Sequence, residues 1–271
     1  MLSKKPNLVI GLTTFNNEML RISIPALGKL NQKFFLIIHN DNPMTTVSKK
    51  QIRRLGYCGD LHIINSAENV GLFRGRINIL NAIPQLKIKP DWIIFNDDDD
   101  IITDITIPNV NPENNAIIQN SVIIKHRVMD LLRVMDNPKD YVIDGENVVL
   151  SRPNVSFAGT LFRVKYLSAV FQLVSCALED IKKIDESLDY MPPIDALMKL
   201  LFTIYSQRTG DVSVPIYMDK INYIKIDLDS NPKKYDKLNH PVRNITDHYQ
   251  RALSRYETAI NKALDAVALR G

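Results

Sequence analysis

The first hundred residues alternate between two hydrophobic periods. Leu8–Leu12, Phe34–Ile38, Leu61–Ile64 and Trp92–Phe95 are short, near-continuous apolar runs of strand length. Between them, Glu18–Leu30 places Ile22, Ala26, Leu27 and Leu30 on one helical face. Lys49–Leu55 reads as a short polar helix, and Arg74–Ile83 as a helix stopped before Pro84. Unbroken apolar strands separated by helices predict a parallel sheet covered on both faces. Past residue 100 the pattern loosens. Ile102–Asn115 reads as a Pro/Asn-rich loop, Ala116–Gln119 as a strand and Val122–Met135 as a helix. Asp140–Leu150 reads as two short strands around Gly145-Glu146. Ser156–Phe162 is strand-like, with Gly159 marking a close approach. Ile194–Ser206 reads as a helix after Pro192-Pro193, Asn231–Pro241 as a linker, and Ile245–Leu269 as a long amphipathic helix whose apolar residues step by three or four.

In a parallel sheet of this kind ligands bind beyond the C-terminal ends of the strands. All four exits are polar: Thr13–Asn17, His39–Asn42, Asn65–Gly71 and Asn96–Asp100. Composition narrows the class further. The 271 residues are 45% hydrophobic with a net charge of only +4, which excludes a disordered chain. Two cysteines, Cys58 and Cys176, exclude a disulfide scaffold and suit a reducing, cytoplasmic compartment; both are expected to be small buried apolar residues. No apolar run reaches the ~18–20 residues of a bilayer span, so no transmembrane segment is expected. From residue 231 to the end, eight basic residues face four acidic ones, so this segment carries the whole net charge. Such a segment can attract an anionic acceptor, nucleic acid included.

The strongest chemical signal is Asp97-Asp98-Asp99-Asp100 after a buried strand. Four like charges in succession repel unless a counter-charge is near. A divalent cation held only by oxygens, Mg²⁺ or Mn²⁺, is the simplest one, and Mg²⁺ completes its shell with substrate phosphates and water. Arg74 and Arg76, at the start of a helix, can pair with phosphate oxygens or with Asp41. GLFRGR (71–76) is not a phosphate loop, because GxxxxGK[ST] is absent.

The stretches LVIGLTTFNN (8–17), FFLIIHNDNP (34–43), ENVGLFRGRIN (68–78) and WIIFNDDDDI (92–101), and more loosely FAGTLFR (157–163) and IDESLDYMPPIDAL (184–197), resemble family 2 glycosyltransferases of the GT-A fold. The resemblance implies an α/β fold: a Rossmann-like mixed sheet of the nucleotide-diphospho-sugar transferase type, flanked by helices, with a C-terminal helical extension. It implies a glycosyltransferase domain over 1–230, with a nucleotide-binding half (1–100) and an acceptor half (101–230). Residues 231–271 then form a basic linker and helix. Carried over by position, Thr13 and Phe15 would line the nucleotide pocket and Asp41 would bind uracil or ribose. Asn69, Gly71 and Arg76 would approach the donor, Arg76 near the diphosphate or Asp41. Asp97 and Asp99 fall on the D-x-D pattern as metal and sugar contacts, with Asp98 beside them. Asp195 falls at the catalytic base, with Asp185 and Asp189 as competitors. The sequence departs from the family pattern at Asn40, Ile77 and Ile194.

The implied activity is a metal-dependent (Mn²⁺ or Mg²⁺), inverting transfer from a nucleotide-sugar, by resemblance a UDP-sugar, to an acceptor hydroxyl. It is a hexosyl- or pentosyl-transfer. The default acceptor is a saccharide or glycan, with a hydroxylated DNA base as the alternative through the basic C-terminal segment. A non-catalytic nucleotide-sugar-binding protein and a nucleotidyltransferase are the competing classes. His240 is a further candidate metal ligand.

Overall fold

The computed structural model describes residues 7–86, 88–126, 148–153, 156–187, 194–228 and 242–269. The chain divides into two compact units: residues 1–164 with 214–230, and 165–213 with 231–271.

The first unit is built on one mixed sheet. β1 (Leu8–Thr14), β2 (Phe35–Asn40), β3 (Asp60–Asn65) and β4 (Trp92–Asp97) lie parallel in the order β3-β2-β1-β4. Strand order thus reverses between β1 and β4, and the crevice at such a reversal is where this sheet type receives ligands. Beyond β4 come β8 (Thr160–Arg163), β6 (Ala116–His126), β9 (Ile216–Leu228) and β5 (Ile101–Ile102), with β7 (Val148–Pro153) also pairing with β6. The β4–β8, β8–β6, β6–β7 and β5–β9 pairs are antiparallel, and β6–β9 is parallel.

The apolar runs become strands because both of their faces are covered. On one face Leu8, Ile10, Leu12, Leu36, Ile38 and Ile94 pack with Leu20, Ile24 and Leu27 of α1 (Leu20–Gly28). Toward the other lies α3 (Gly71–Gln85), which follows the short α2 (Lys49–Arg54). Gly75 lets α3 come close, since a Cβ there would stand 2.6 Å from Cγ2 of Thr13. α3 runs through Pro84 to Gln85 instead of stopping before it. So near the C-terminus the proline sacrifices little more than one helical hydrogen bond.

The predicted helix at Val122–Met135 is corrected: Val122–His126 continue strand β6, and residues 127–135 lie outside the described residues. Val122-Ile123-Ile124 is β-branched throughout, and pairing with both β7 and β9 satisfies its backbone. β9 has no counterpart in the sequence reading. Of the two strands expected over 140–150, Val148 begins β7; residues 140–147 and the linker 231–241 lie outside the described residues.

The second unit is helical: α4 (Val164–Val174, whose first residue closes the first unit), α5 (Leu178–Ser187), α6 (Ile194–Thr209) and α7 (Val242–Ala268). α7 is the amphipathic helix expected from the sequence, and it buries Ala252, Tyr256 and Ile260. Arg208 of α6 ties it by hydrogen bonds of 2.8 Å to Asp265 and Asn261. Among the described residues no helix is long and apolar enough to cross a membrane. Both cysteines are free and exposed, correcting the expectation of burial. Cys58 follows the turn after α2, and Cys176 sits in a short 3-10 turn between α4 and α5.

Candidate functional site

The exits of β1, β2 and β4 form one polar row. Thr13 is in register with His39 on one side and Asp97 on the other. α3 meets this row at three points: Gly75 against Thr13, Asn78 with Nδ2 3.1 Å from Nε2 of His39, and Arg76 with NH2 2.7 Å from Oδ1 of Asp97. Arg76 is fully buried, its guanidinium 5.5 Å from the Phe95 ring and 5.0 Å from the Phe157 ring. A charge so buried needs a partner, and Asp97 supplies it while keeping 31% of its side chain exposed. Among the described residues, Nε and NH1 of Arg76 find no hydrogen-bond partner, nor do Thr13 Oγ1 and His39 Nδ1.

The four aspartates have separate roles. Asp97 faces Arg76. Asp98 accepts a 2.5 Å hydrogen bond from Thr14 Oγ1. Burial, and then the charges of Asp99 and Asp97, push its carboxyl up to about 7 against that hydrogen bond. Asp99 is half-buried on the same turn. Asp100 is buried and structural. Its Oδ2 accepts from Tyr223 Oη at 2.7 Å and its Oδ1 from the Ile226 N–H at 3.0 Å, so it fastens β9 to the end of β4. Burial, Asp99 and Asp97 raise its carboxyl well above the usual range, opposed by Tyr223 and Lys225.

Asp41, expected at the nucleobase or ribose, is 5% exposed. Its Oδ1 accepts from the Val70 N–H and its Oδ2 from the Gly71 N–H, both at 2.8 Å. Gly71 has φ +80°, a left-handed conformation that suits glycine, and Asn69 Oδ1 also accepts from its N–H at 3.1 Å. Arg76 therefore pairs with Asp97 and not with Asp41. Phe15 is 54% exposed beside the crevice, and Asn42 Nδ2 donates to its carbonyl at 3.0 Å. Asn40 donates to the Thr45 carbonyl at 2.7 Å and to Asn65 Oδ1 at 3.1 Å, binding the β2 and β3 exits together.

Thr13, Arg76, Asp97 and Asp98 are thus gathered at the β1–β4 crevice, with Asp99 on the same turn and Gly71 and Asn69 at the start of α3. In the second unit, Asp195 is half-buried in the first turn of α6. Asp185, its competitor, accepts a short hydrogen bond from Tyr256 Oη. Asp189, His240, Lys233, Lys234 and Lys237 lie outside the described residues.

Three contributors had no sequence signal strong enough to single them out. His39 and Asn78 are ordinary polar residues until strand and helix are docked. Lys225 on β9 donates to Ser156 Oγ at 2.5 Å and lies close enough to Asp100 to lower its carboxyl.

Among the described residues no three His, Cys, Asp or Glu side chains converge to hold a metal ion unaided. The donor set still fits a hard cation that takes two carboxylates and fills its shell from phosphates and water. The side chains of Asp97 and Asp99, both half-buried on the turn, offer carboxylate oxygens of the kind such a cation takes.

No family model matches the chain, and no curated protein matches it. Among solved structures it is similar to S. aureus TarS 1–349, with 13% identity and TM-score 0.45, covering 96% of this chain and 82% of that one. It is similar to the same TarS fragment in complex with UDP-GlcNAc (13% identity, TM-score 0.45, covering 95% and 70%). It is also similar to the mannosyltransferase PcManGT from Pyrobaculum calidifontis in complex with GDP-Man and Mn²⁺ (11% identity, TM-score 0.43, covering 99% and 77%).

Proposed function

We propose that the chain is a metal-dependent, inverting glycosyltransferase of GT-A type that moves a sugar from a nucleotide-sugar, a UDP-sugar by preference, to an acceptor hydroxyl of a saccharide or glycan. The observation that carries this reading is the acidic turn Asp97–Asp99 at the reversal of strand order, with the buried Arg76 holding one carboxylate in place. Asp97 and Asp99 would hold Mn²⁺ or Mg²⁺. When bound, that ion neutralises the departing nucleoside diphosphate and orients it. Thr13, Asn69 and Gly71 line the approach to the crevice. Phe15 offers an exposed ring on which a base can stack. Arg76 holds Asp97 in place through their 2.7 Å ion pair.

In this reading Asp195 takes the proton from the acceptor hydroxyl as that oxygen attacks the anomeric carbon. The new C–O bond forms as the bond to the diphosphate breaks, and one displacement inverts the configuration.

A thermal-shift panel of nucleotide-sugars with and without Mn²⁺ tests the donor half. At a ligand concentration of 100 times Kd, binding to the folded state adds about 2.7 kcal/mol. Stabilisation by one donor, present only with metal, is the expected result; a flat panel removes the proposal. Asp195→Asn is expected to abolish turnover while donor binding stays within about twofold. Full turnover in that variant assigns the base elsewhere, and donor binding without turnover in the unaltered protein leaves a nucleotide-sugar-binding protein.

Arg251, Arg255 and Lys262, exposed on α7, keep a hydroxylated DNA base as the second acceptor class. Duplex affinity that falls steeply with salt is its signature.

A further inference from the structure

The polar contacts around α3 give Asp41 a role other than the one its position first suggests. The helix begins with little capping of its own: Val70, at its N-cap, makes no side-chain cap hydrogen bond, its first turn carries no acidic residue, and locally Asn69 Oδ1 accepts from the Gly71 N–H at 3.1 Å. The anionic acceptor comes from the exit of β2. The two carboxylate oxygens of Asp41 each take one of the first amides, Val70 and Gly71, at 2.8 Å. An anion there also meets the positive end of the helix dipole. With 5% of its surface exposed and each oxygen engaged by backbone, Asp41 has little surface left for a nucleobase.

What this cap controls lies further along the same helix. Gly75 is wedged on Thr13 with no room for a Cβ, Asn78 reaches His39, and Arg76 meets Asp97 at 2.7 Å between two phenylalanine rings. The axial setting of α3 therefore decides where the guanidinium stands, and the guanidinium decides where Asp97 stands.

We propose that Asp41 is a positioning residue: it caps α3 from the neighbouring strand, sets the register in which Arg76 holds Asp97, and does not read the base. This rests on the donor-binding proposal above, with Asp97 as a metal contact.

Calorimetric titrations on the full chain test it, using Mn²⁺ alone, Mn²⁺ with UDP and Mn²⁺ with GDP, all well below the melting temperature. They are run on the unaltered protein and on Asp41→Asn, together with amide exchange at Val70 and Gly71. The expected result is a weakening of Mn²⁺ on the order of tenfold, as for other groups that orient a metal ligand. UDP and GDP weaken by the same factor, so their affinity ratio is kept, and the two amides exchange faster. A collapsed UDP-to-GDP ratio with unchanged Mn²⁺ affinity and unchanged amide protection overturns the proposal and makes Asp41 a base reader. Asp41→Ser retains one acceptor for these amides and carries the same comparison if Asp41→Asn does not fold. If the unaltered protein binds neither nucleotide with Mn²⁺, the donor reading fails, while the Mn²⁺ titration and the amide exchange still decide the role of Asp41.

Discussion

His39 is buried in the row between α3 and the sheet, and its ring answers to Asn78 on the helix and to the charge of Asp41. Asn78 Nδ2 stands 3.1 Å from the ring's Nε2. Burial holds the imidazole below its ordinary value of 6.5, with Asp41 opposing. A folded-state value below the unfolded one gives stability that is complete above the unfolded value of about 6.5 and is lost as pH falls below it. One proton limits the slope to about 1.4 kcal/mol per pH unit. Chemical denaturation of the protein and of His39→Gln at pH 8, 6.5 and 5.5 is expected to show the variant less stable at pH 8 and the gap narrowing toward acid. Parallel curves would exclude His39 as the group. At this scale the sequence exposed the residues whose charge is conspicuous, Asp97 to Asp99 and Arg76. It left the partner of Arg76 open between phosphate oxygens and Asp41, and did not single out Asp97, which Arg76 meets at 2.7 Å. Only the docked backbone shows that Val70 and Gly71 had already taken Asp41.

The elements of the first hundred residues were legible because β1, β2 and β4 are near-continuous apolar runs buried along almost their whole length, and α1 shows an apolar stripe between them. β9 was not legible. Met218-Asp219-Lys220-Ile221-Asn222-Tyr223-Ile224-Lys225-Ile226 interrupts its apolar residues irregularly with Asp219, Lys220, Asn222 and Lys225, and neither period dominates. Its pairing with β6 and β5 and the side chain of Asp100 give it a place that local propensity does not. The same tertiary pairing turned Val122–His126 into strand. Tyr223 is the pin of this arrangement, fully buried with its hydroxyl on Asp100. Removing that hydroxyl leaves a buried carboxyl with one partner fewer. Tyr223→Phe is expected to cost about 1–3 kcal/mol in urea unfolding, with faster amide exchange along β9. A variant as stable as the parent would mean that the Ile226 N–H alone holds Asp100.

The order of segments in the chain sets the last expectation. The first unit is discontinuous: residues 1–164 supply eight of its described strands, and β9 returns only after the helices of residues 165–213. β6 pairs with β9 along most of its length, and β5 is only Ile101-Ile102, paired with Tyr223 and Ile224. A chain ending at residue 213 therefore lacks more than an edge. It leaves one side of β6 with open hydrogen-bonding groups, releases β5, and strips from Asp100 both the Tyr223 hydroxyl and the Ile226 amide. An open strand edge invites pairing with another chain, and a buried carboxyl without donors costs several kcal/mol. Domains of this size are stable by only about 5–15 kcal/mol, so the two losses together are enough to unfold the unit. Expression of residues 1–213 is accordingly expected to give aggregated protein without a cooperative thermal transition, although every aspartate of the acidic turn is present. A soluble, cooperatively melting fragment would show that the parallel half, β1 to β4, holds the site together without β9.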